Sequence, residues 1–546
     1  MGKRKRLSCV IIALVLAVSL TACQQGELLT NTAGETGTYE TSDKLTIPVT
    51  KIRNINPATS TDADIYQMAK LVYSSLIRLG DTMEPVAELA SSWGYDGEGG
   101  IDFTLRSGVR YSDGSSFTAD DVAFTVSVLK AAGDTSPYAS KVANISNVIV
   151  HSDSELTMEL RDPSDTSIAD FDFPIFSSSQ FSGTSGFLEN AEEPLIGTGP
   201  YRIESASLNR KIELTANEYS FSGAPSNTIT LKVMPVENLY PGLVSSGDLS
   251  IMVMDDFNRE EVSGDKSLRV TPFTSNEFET LGFNCTGGCS DKYVRQAVSM
   301  TVDRDEIISS AYYGSGTKSD DLYFPGYLGT ETTNDFSPDR EAASALLQQA
   351  GYTDSDADGY VEDADGNDLT LTMVTSSENE SRRMAAQMIV QQLAGVGISV
   401  KVTEVPAESL SRAVYSGTYD MFIAGWSVEE NFDLRMFYHS GYGNPAGYVN
   451  NEVDGLLDRM FSGISADAMK EAVTEAKKIL ADEVPYLCLC YKTYAAVTSA
   501  DFEGLIASRF NDYYYGCQDW KVKFFQKIED EDNGNAEDAE TDDSQE

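Results

Sequence analysis

The spacing of apolar residues changes along the chain in a way that predicts strands alternating with helices. Ile101, Phe103 and Leu105 alternate with polar residues, the period of a strand with one buried face, and Asp113-Gly114 then supplies a turn. Thr118 offers an N-cap oxygen with Asp121 three residues on, ahead of the apolar run Val122 to Leu129, and this predicts a helix start. Ser337-Pro338 opens a second helix through Leu346 and Leu347, which stops at Gly351. Met384, Met388, Ile389 and Leu393 mark one face of a third helix. Across Gly395 and Gly397 the alternation Ile398, Val400, Val402 predicts the strand that this helix feeds. Such mixing without a short repeat argues for an α/β protein and against a solenoid.

The ends read differently. Lys3, Arg4, Lys5 and Arg6 precede an unbroken apolar run from Val10 to Val18, the pattern of an export signal and too short to span a bilayer comfortably. The run closes on Leu20-Thr21-Ala22-Cys23, which resembles the lipoprotein signal-peptidase box. That resemblance implies that residues 1–22 are removed and that Cys23 carries the lipid, and two acyl chains anchor stably where one does not. Residues 23–43 are polar and read as a flexible tether, while residues 529–546 form an acidic, solvated tail.

Composition adds three constraints. The span between the ends is more than one hydrophobic core usually serves, so two or three compact lobes are expected. The formal charge is −45, and loss of the four signal bases makes it −49 (−45 − 4). A chain so acidic, with no basic cluster left after maturation, repels nucleic acid and anionic lipid. Of seven cysteines, Cys9 and Cys23 lie at the N-terminus, leaving five, so at least one thiol is free or paired between chains. Cys285 and Cys289 enclose Thr-Gly-Gly, a loop flexible enough for a small disulfide. Cys488 and Cys490 point to one face of a strand, a poor geometry for bonding each other. Buried thiols are the alternative for all five.

The order of several segments then becomes recognisable. Leu71 to Leu76 (LVYSSL), Pro85 to Trp93 (PVAELASSW), Phe103 to Gly114 (FTLRSGVRYSDG) and Phe117 to Val122 (FTADDV) resemble blocks of the oligopeptide/dipeptide/nickel class of transporter-associated solute-binding proteins, family 5. Gly197 to Tyr201 (GTGPY), Phe283-Asn284, Val294 to Ser299, Tyr419-Asp420, Gly425-Trp426 and Asn451 to Leu457 continue the resemblance, which covers Lys44 to Phe525. It implies an α/β, periplasmic-binding-protein-like clamshell of two lobes, class II and of the large cluster C type, with an extra subdomain. Lobe I would comprise 44–72, 194–281 and 497–525, the subdomain 73–193, and lobe II 282–496. The implied role is capture of peptides outside the cytoplasm and delivery to the permease of an ABC importer, by a monomer anchored to the membrane through its lipid.

The same resemblance supplies ligand-binding candidates. In peptide-binding relatives an aspartate three residues after the tryptophan pairs with the ligand's ammonium terminus; here Trp426 is followed at that distance by Glu429, with Glu430 beside it. Gly425 and Ser427 flank Trp426 on a strand that offers its main chain to the peptide, Tyr138 would cap the ligand from the opposite lobe, and Asn444 follows a glycine-rich loop toward the cleft. No catalytic residues and no cofactor are expected. With only His151 and His439, and neither a Gly-x-Ser-x-Gly nor a His-Glu-x-x-His motif, a secreted hydrolase is the weaker reading. Metal chelates, oligosaccharides and signalling peptides are the other ligands considered. Of the three tryptophans, Trp93 reads as structural. Asp354, Asp356 and Asp358, followed by Gly359, match the first half of a calcium loop, but the twelfth position is Asp365 rather than glutamate. The sequence therefore favours a solvated acidic turn over a metal site.

Overall fold

The computed structural model describes residues 29–30, 36–163, 167–181, 183–190, 193–255, 262, 264–331, 336–461 and 466–527. The export signal, Cys23 and the acidic tail lie outside the described residues. Two compact units divide the chain, one of residues up to 41 with those from 523 onward, the other of 42–522. In the first, Leu29–Thr30 pairs with Thr36–Ser42, and Val522–Lys527 completes a three-stranded sheet. The stretch read as a tether thus carries strands. Thr36, Thr38, Tyr39 and Thr41 are β-branched or aromatic, a composition that suits a strand even where apolar content is low.

The larger unit holds three main sheets. Lys44–Val49 runs parallel to Thr228–Val233 at one edge of a four-stranded sheet completed by Lys211–Ala216 and Tyr201–Ser207. A second sheet, in the order Ala90–Tyr95, Gly100–Leu105, Glu155–Leu160 and Ile145–Ser152, is antiparallel throughout. Ile101, Phe103 and Leu105 point into its core as their alternation predicted. The helix Ala119–Ala132 follows; its capping box forms as expected, with the Thr118 amide donating to Asp121 Oδ2 at 2.8 Å.

The third sheet organises the rest. The sixteen-residue strand Leu268–Phe283 lies along the fourteen-residue strand Tyr486–Ser499, and its second half also pairs with Met421–Ser427. These two long strands run from a small core around Val244, Met252 and Val497 into a larger one around Leu281, Met373, Ile389 and Leu487. Beyond Met421–Ser427 come the parallel strands Thr370–Ser376 and Ser399–Val405, joined by the helix Glu380–Ala394. This is the predicted helix, glycine turn and strand, with Gly397 at a φ of 83° where an L side chain would be strained. Ile398 is buried but Val402 is exposed, because Ser399–Val405 is the edge strand. The helix expected to open at Ser337-Pro338 begins at Arg340, because the Asp339 carboxylate caps it by accepting from the Ala342 amide.

Cys285, Cys289, Cys488, Cys490 and Cys517 are free thiols, so no disulfide closes the Cys285–Cys289 loop. Burial pushes the Cys285 thiol up to about 11. No helix among the described residues is long and apolar enough to cross a membrane.

Candidate functional site

Four separate segments bring charged side chains into one buried cluster. The helix Ala63–Val72 buries Ile65, Met68, Ala69, Leu71 and Val72 and leaves Tyr66 and Lys70, four residues apart, for another contact. The turn Ile168–Phe171, capped by the Ser167 side chain, leads into Asp172, whose Oδ2 lies 2.8 Å from Lys70 Nζ. The short helix Ala139–Ala143 contributes Tyr138 at its N-cap and Lys141 one turn on. Tyr138 is fully buried and stacks on Tyr66, with centroids 5.6 Å apart and rings inclined by 24°.

The loop after the strand Met421–Ser427 completes the cluster. The Tyr66 hydroxyl donates to Glu430 Oε1 at 2.7 Å, Glu430 Oε2 is ion-paired with Lys141, and Lys141 Nζ also donates to the Asp172 carbonyl at 3.1 Å. Burial alone would raise the Glu430 carboxyl, but the Lys141 and Lys70 ammoniums and two donated hydrogen bonds outweigh it and hold the group below its usual range. Burial likewise opposes the charge on Lys70, and Asp172 and Glu430 more than restore it. Next along the loop, Asn431 Nδ2 donates to Asp170 Oδ1 at 3.0 Å, and the Asn431 carbonyl accepts from the Tyr327 hydroxyl. Burial pushes Asp170 up to about 6.

Local backbone geometry decides which glutamate enters. The Val428 amide and carbonyl are both held by Asn276, and the Phe432 amide turns back to the Glu429 carbonyl at 3.0 Å. Phe432 adopts a φ of 51°, unusual for a bulky residue, and sinks into a nest of Phe324, Tyr327 and Phe510. Glu429 is left exposed while Glu430 turns inward.

The expected ligand residues divide accordingly. Gly425, Trp426 and Ser427 pair with Glu279, Phe278 and Glu277 on one side. On the other side the neighbouring strand pairs only at Met421 and Phe422. Among the described residues, no strand therefore covers the second main-chain edge of Gly425–Ser427. Trp426 is half-buried, packs edge-on against Phe437 at 5.1 Å, and its buried indole N–H has no hydrogen-bond partner there. Tyr138 lies within the Glu430 cluster, whereas Glu429 stands outside it. Asn444 uses its amide within its own loop, on the Tyr448 amide and carbonyl and the His439 carbonyl. The sequence reading passed over Tyr66, Lys70, Lys141 and Asp172. The available signals were the Tyr66/Lys70 spacing on a buried helix and the place of Lys141 one turn after Tyr138.

One cavity opens on the cluster and a second lies near it. The first, of about 320 Å³, is lined by Lys70, Ser74, Glu88, Asp172, Arg509 and Asp512 among others, and burial pushes Glu88 up to about 7. The other, of about 540 Å³, is lined by Trp93, Tyr95, Ser167, Leu328, Met469 and Lys470 among others. The Ser167 amide donates to Asp170 Oδ2, so this cavity lies one turn from the Asn431 contact. Trp93, read from the sequence as structural, lines space of ligand size.

Residues 84–448 match the family model described as bacterial extracellular solute-binding proteins, family 5 Middle. The oligopeptide-binding protein AppA of Bacillus subtilis (strain 168) is 24% identical over 547 residues, covering 95% of this chain and 100% of that one. Among solved structures, NikZ from Campylobacter jejuni in complex with Ni(L-His) aligns with a TM-score of 0.59 at 23% identity, over 88% of this chain and 100% of that one. The murein tripeptide binding protein MppA in its unliganded open form aligns with a TM-score of 0.76 at 19% identity, over 88% and 98%.

Proposed function

The chain belongs to the bacterial extracellular solute-binding proteins of family 5, and from that premise we propose that it captures peptides outside the cytoplasm and hands them to an ABC importer. The observation that carries the peptide reading is the uncovered main-chain edge of Gly425–Ser427, which leads directly into a loop whose Glu430 already pairs with an ammonium group. An extended peptide adding itself to that edge gains hydrogen bonds that do not depend on its side chains, and the carboxylate selects its charged terminus. The names of AppA and MppA, an oligopeptide and a murein tripeptide binder, support the same ligand class.

In this reading the lobes comprise the segments expected from the sequence, with the loop 428–433 reaching from lobe II onto lobe I and its subdomain. Lys141 occupies on Glu430 the place that the ligand's ammonium would take, and the ligand displaces it. The 540 Å³ cavity beside Trp93 accepts a side chain further along the peptide. Glu429 lies at the mouth, and Tyr138 supports Tyr66 from beneath. The protein acts by binding alone and releases its guest unaltered.

The test is a titration of the purified protein with one peptide in two forms, free and N-acetylated, read by tryptophan fluorescence. The free form is expected to bind about 10–100-fold more tightly, the worth of one charge-assisted hydrogen bond. Glu430→Gln should erase the difference. Equal affinities for the two forms would remove Glu430 from the site, and recovery of cleaved peptide would replace binding by hydrolysis.

Attachment through Cys23 is the remaining part of the proposal. Cys23→Ala is expected to move the protein from the membrane fraction to the medium; a variant that still sediments with membranes excludes a lipid at that residue.

A further inference from the structure

The connection from the helix Arg340–Gln349 to the strand Thr370–Ser376 is an acidic loop with a defined neck. Thr353 and Glu362 exchange both main-chain hydrogen bonds at 3.0 Å, and between them the chain turns through two left-handed positions, Ala357 and Gly359. The result is that carboxylate oxygens of Asp354, Asp356, Asp358 and Glu362 all lie within 4.8 Å of one another. The three aspartates are exposed, but Glu362 is only 5% exposed. Its Oε2 accepts from the Ser355 amide and hydroxyl, while its buried Oε1 has no hydrogen-bond partner among the described residues.

A carboxylate withdrawn from water, with one oxygen unpartnered and three more carboxylates within 4.8 Å, calls for a cation. We infer that this loop binds one calcium ion through Asp354, Asp356, Asp358 and Glu362, with main-chain carbonyl and water oxygens completing the shell. Calcium holds its oxygen ligands at about 2.3–2.6 Å, so ligands of one ion stand at most about 4.6–5.2 Å apart, the span these four occupy. Magnesium requires about 2.0–2.1 Å in a rigid octahedron and fits this open set less well.

The sequence pattern alone was discounted because its twelfth residue is Asp365. Asp365 belongs to the next turn, where its amide bonds Asp363, and the fourth carboxylate comes instead from the ninth position, Glu362. The neck is tied to the body of the fold, the Val361 amide donating to the Gly397 carbonyl and the Leu369 amide to the Val361 carbonyl. An ion in the loop therefore fixes the entry to the strand Thr370–Ser376, and its binding raises the stability of the folded state by mass action.

The experiment is calorimetric titration of the chelator-treated, purified protein with calcium chloride, followed by thermal melting with and without the ion. One site per chain is expected, with half-saturation at about 0.1–1 mM, the range of extracellular calcium modules, and an upward shift in melting temperature. Asp356→Asn, at an exposed position, and Glu362→Gln should each abolish the heat and the shift, while the tryptophan response to peptide persists in both. An absent calcium heat, a heat unchanged in both variants, or equal binding of magnesium would overturn the assignment.

Discussion

Lys141→Met opens the ligand-free protein instead of unfolding it. The substitution leaves Glu430, 11% exposed, with the Tyr66 hydroxyl as its remaining donor, and breaking a buried ion pair from one side costs about 3–5 kcal/mol. A rigid core has no escape from such a cost, but the pair joins the loop after Met421–Ser427 to the helix Ala139–Ala143, and in the proposed clamshell these sit on opposite lobes. Opening returns Glu430 to water, and a bias of 3 kcal/mol already shifts a closed-to-open equilibrium more than 100-fold, by the rule of about 1.4 kcal/mol per tenfold. The expected result is a larger radius of gyration by small-angle X-ray scattering than for the unsubstituted protein, with little change in melting temperature. A peptide with a free amino terminus should restore the compact form by supplying the missing ammonium. Either a compact ligand-free variant of unchanged stability or a variant that fails to fold would show that the Lys141 pair is not a cleft contact.

The parts of this molecule that were legible in its sequence are those set by neighbours in the chain. The Thr118 and Asp121 capping box, the Ile101–Leu105 alternation and the helix and glycine turn before Ser399 each depend on residues within a few positions of one another. The site obeys a different rule. Glu430 meets Lys141 across 289 residues and Tyr66 across 364, and neither partner can be paired with it from local pattern. That Glu430 and not Glu429 enters the buried cluster follows from the left-handed turn at Phe432 and from the grip of Asn276 on Val428, neither of which is legible from the position of Trp426. Asn444 was expected toward the cleft because it follows a glycine-rich loop beyond the tryptophan, and its amide is engaged on Tyr448 within its own loop. Glu362 escaped notice for a related reason, since its main-chain partner Thr353 stands nine residues away across the loop.

Arg382→Met lowers stability by about 3–5 kcal/mol, because it strips the guanidinium from a buried carboxylate. Glu279 on the strand Leu268–Phe283 is 1% exposed, and Arg382 grips both of its oxygens, Nε to Oε2 at 2.7 Å and Nη2 to Oε1 at 2.9 Å. The guanidinium lies over Gly425, where a Cβ would stand 2.1 Å from Nη2 and 2.5 Å from Glu279 Oε1. Glycine at 425 is therefore required by the ion pair as much as by any ligand, and the pair in turn fixes the strand that carries Trp426. Unlike Lys141, Arg382 comes from the helix Glu380–Ala394, packed on the same sheet as its partner, so no opening motion relieves the loss. Chemical denaturation followed by circular dichroism should show an earlier midpoint for Arg382→Met, and Gly425→Ala should move the same way by displacing the guanidinium. The double variant Glu279→Met/Arg382→Met should recover most of the loss, because the penalty lies in the orphaned charge and not in the absence of the pair. A double variant less stable than Arg382→Met would mean that the carboxylate finds another partner, and the clamp would then not be what holds Gly425 and Trp426 in place.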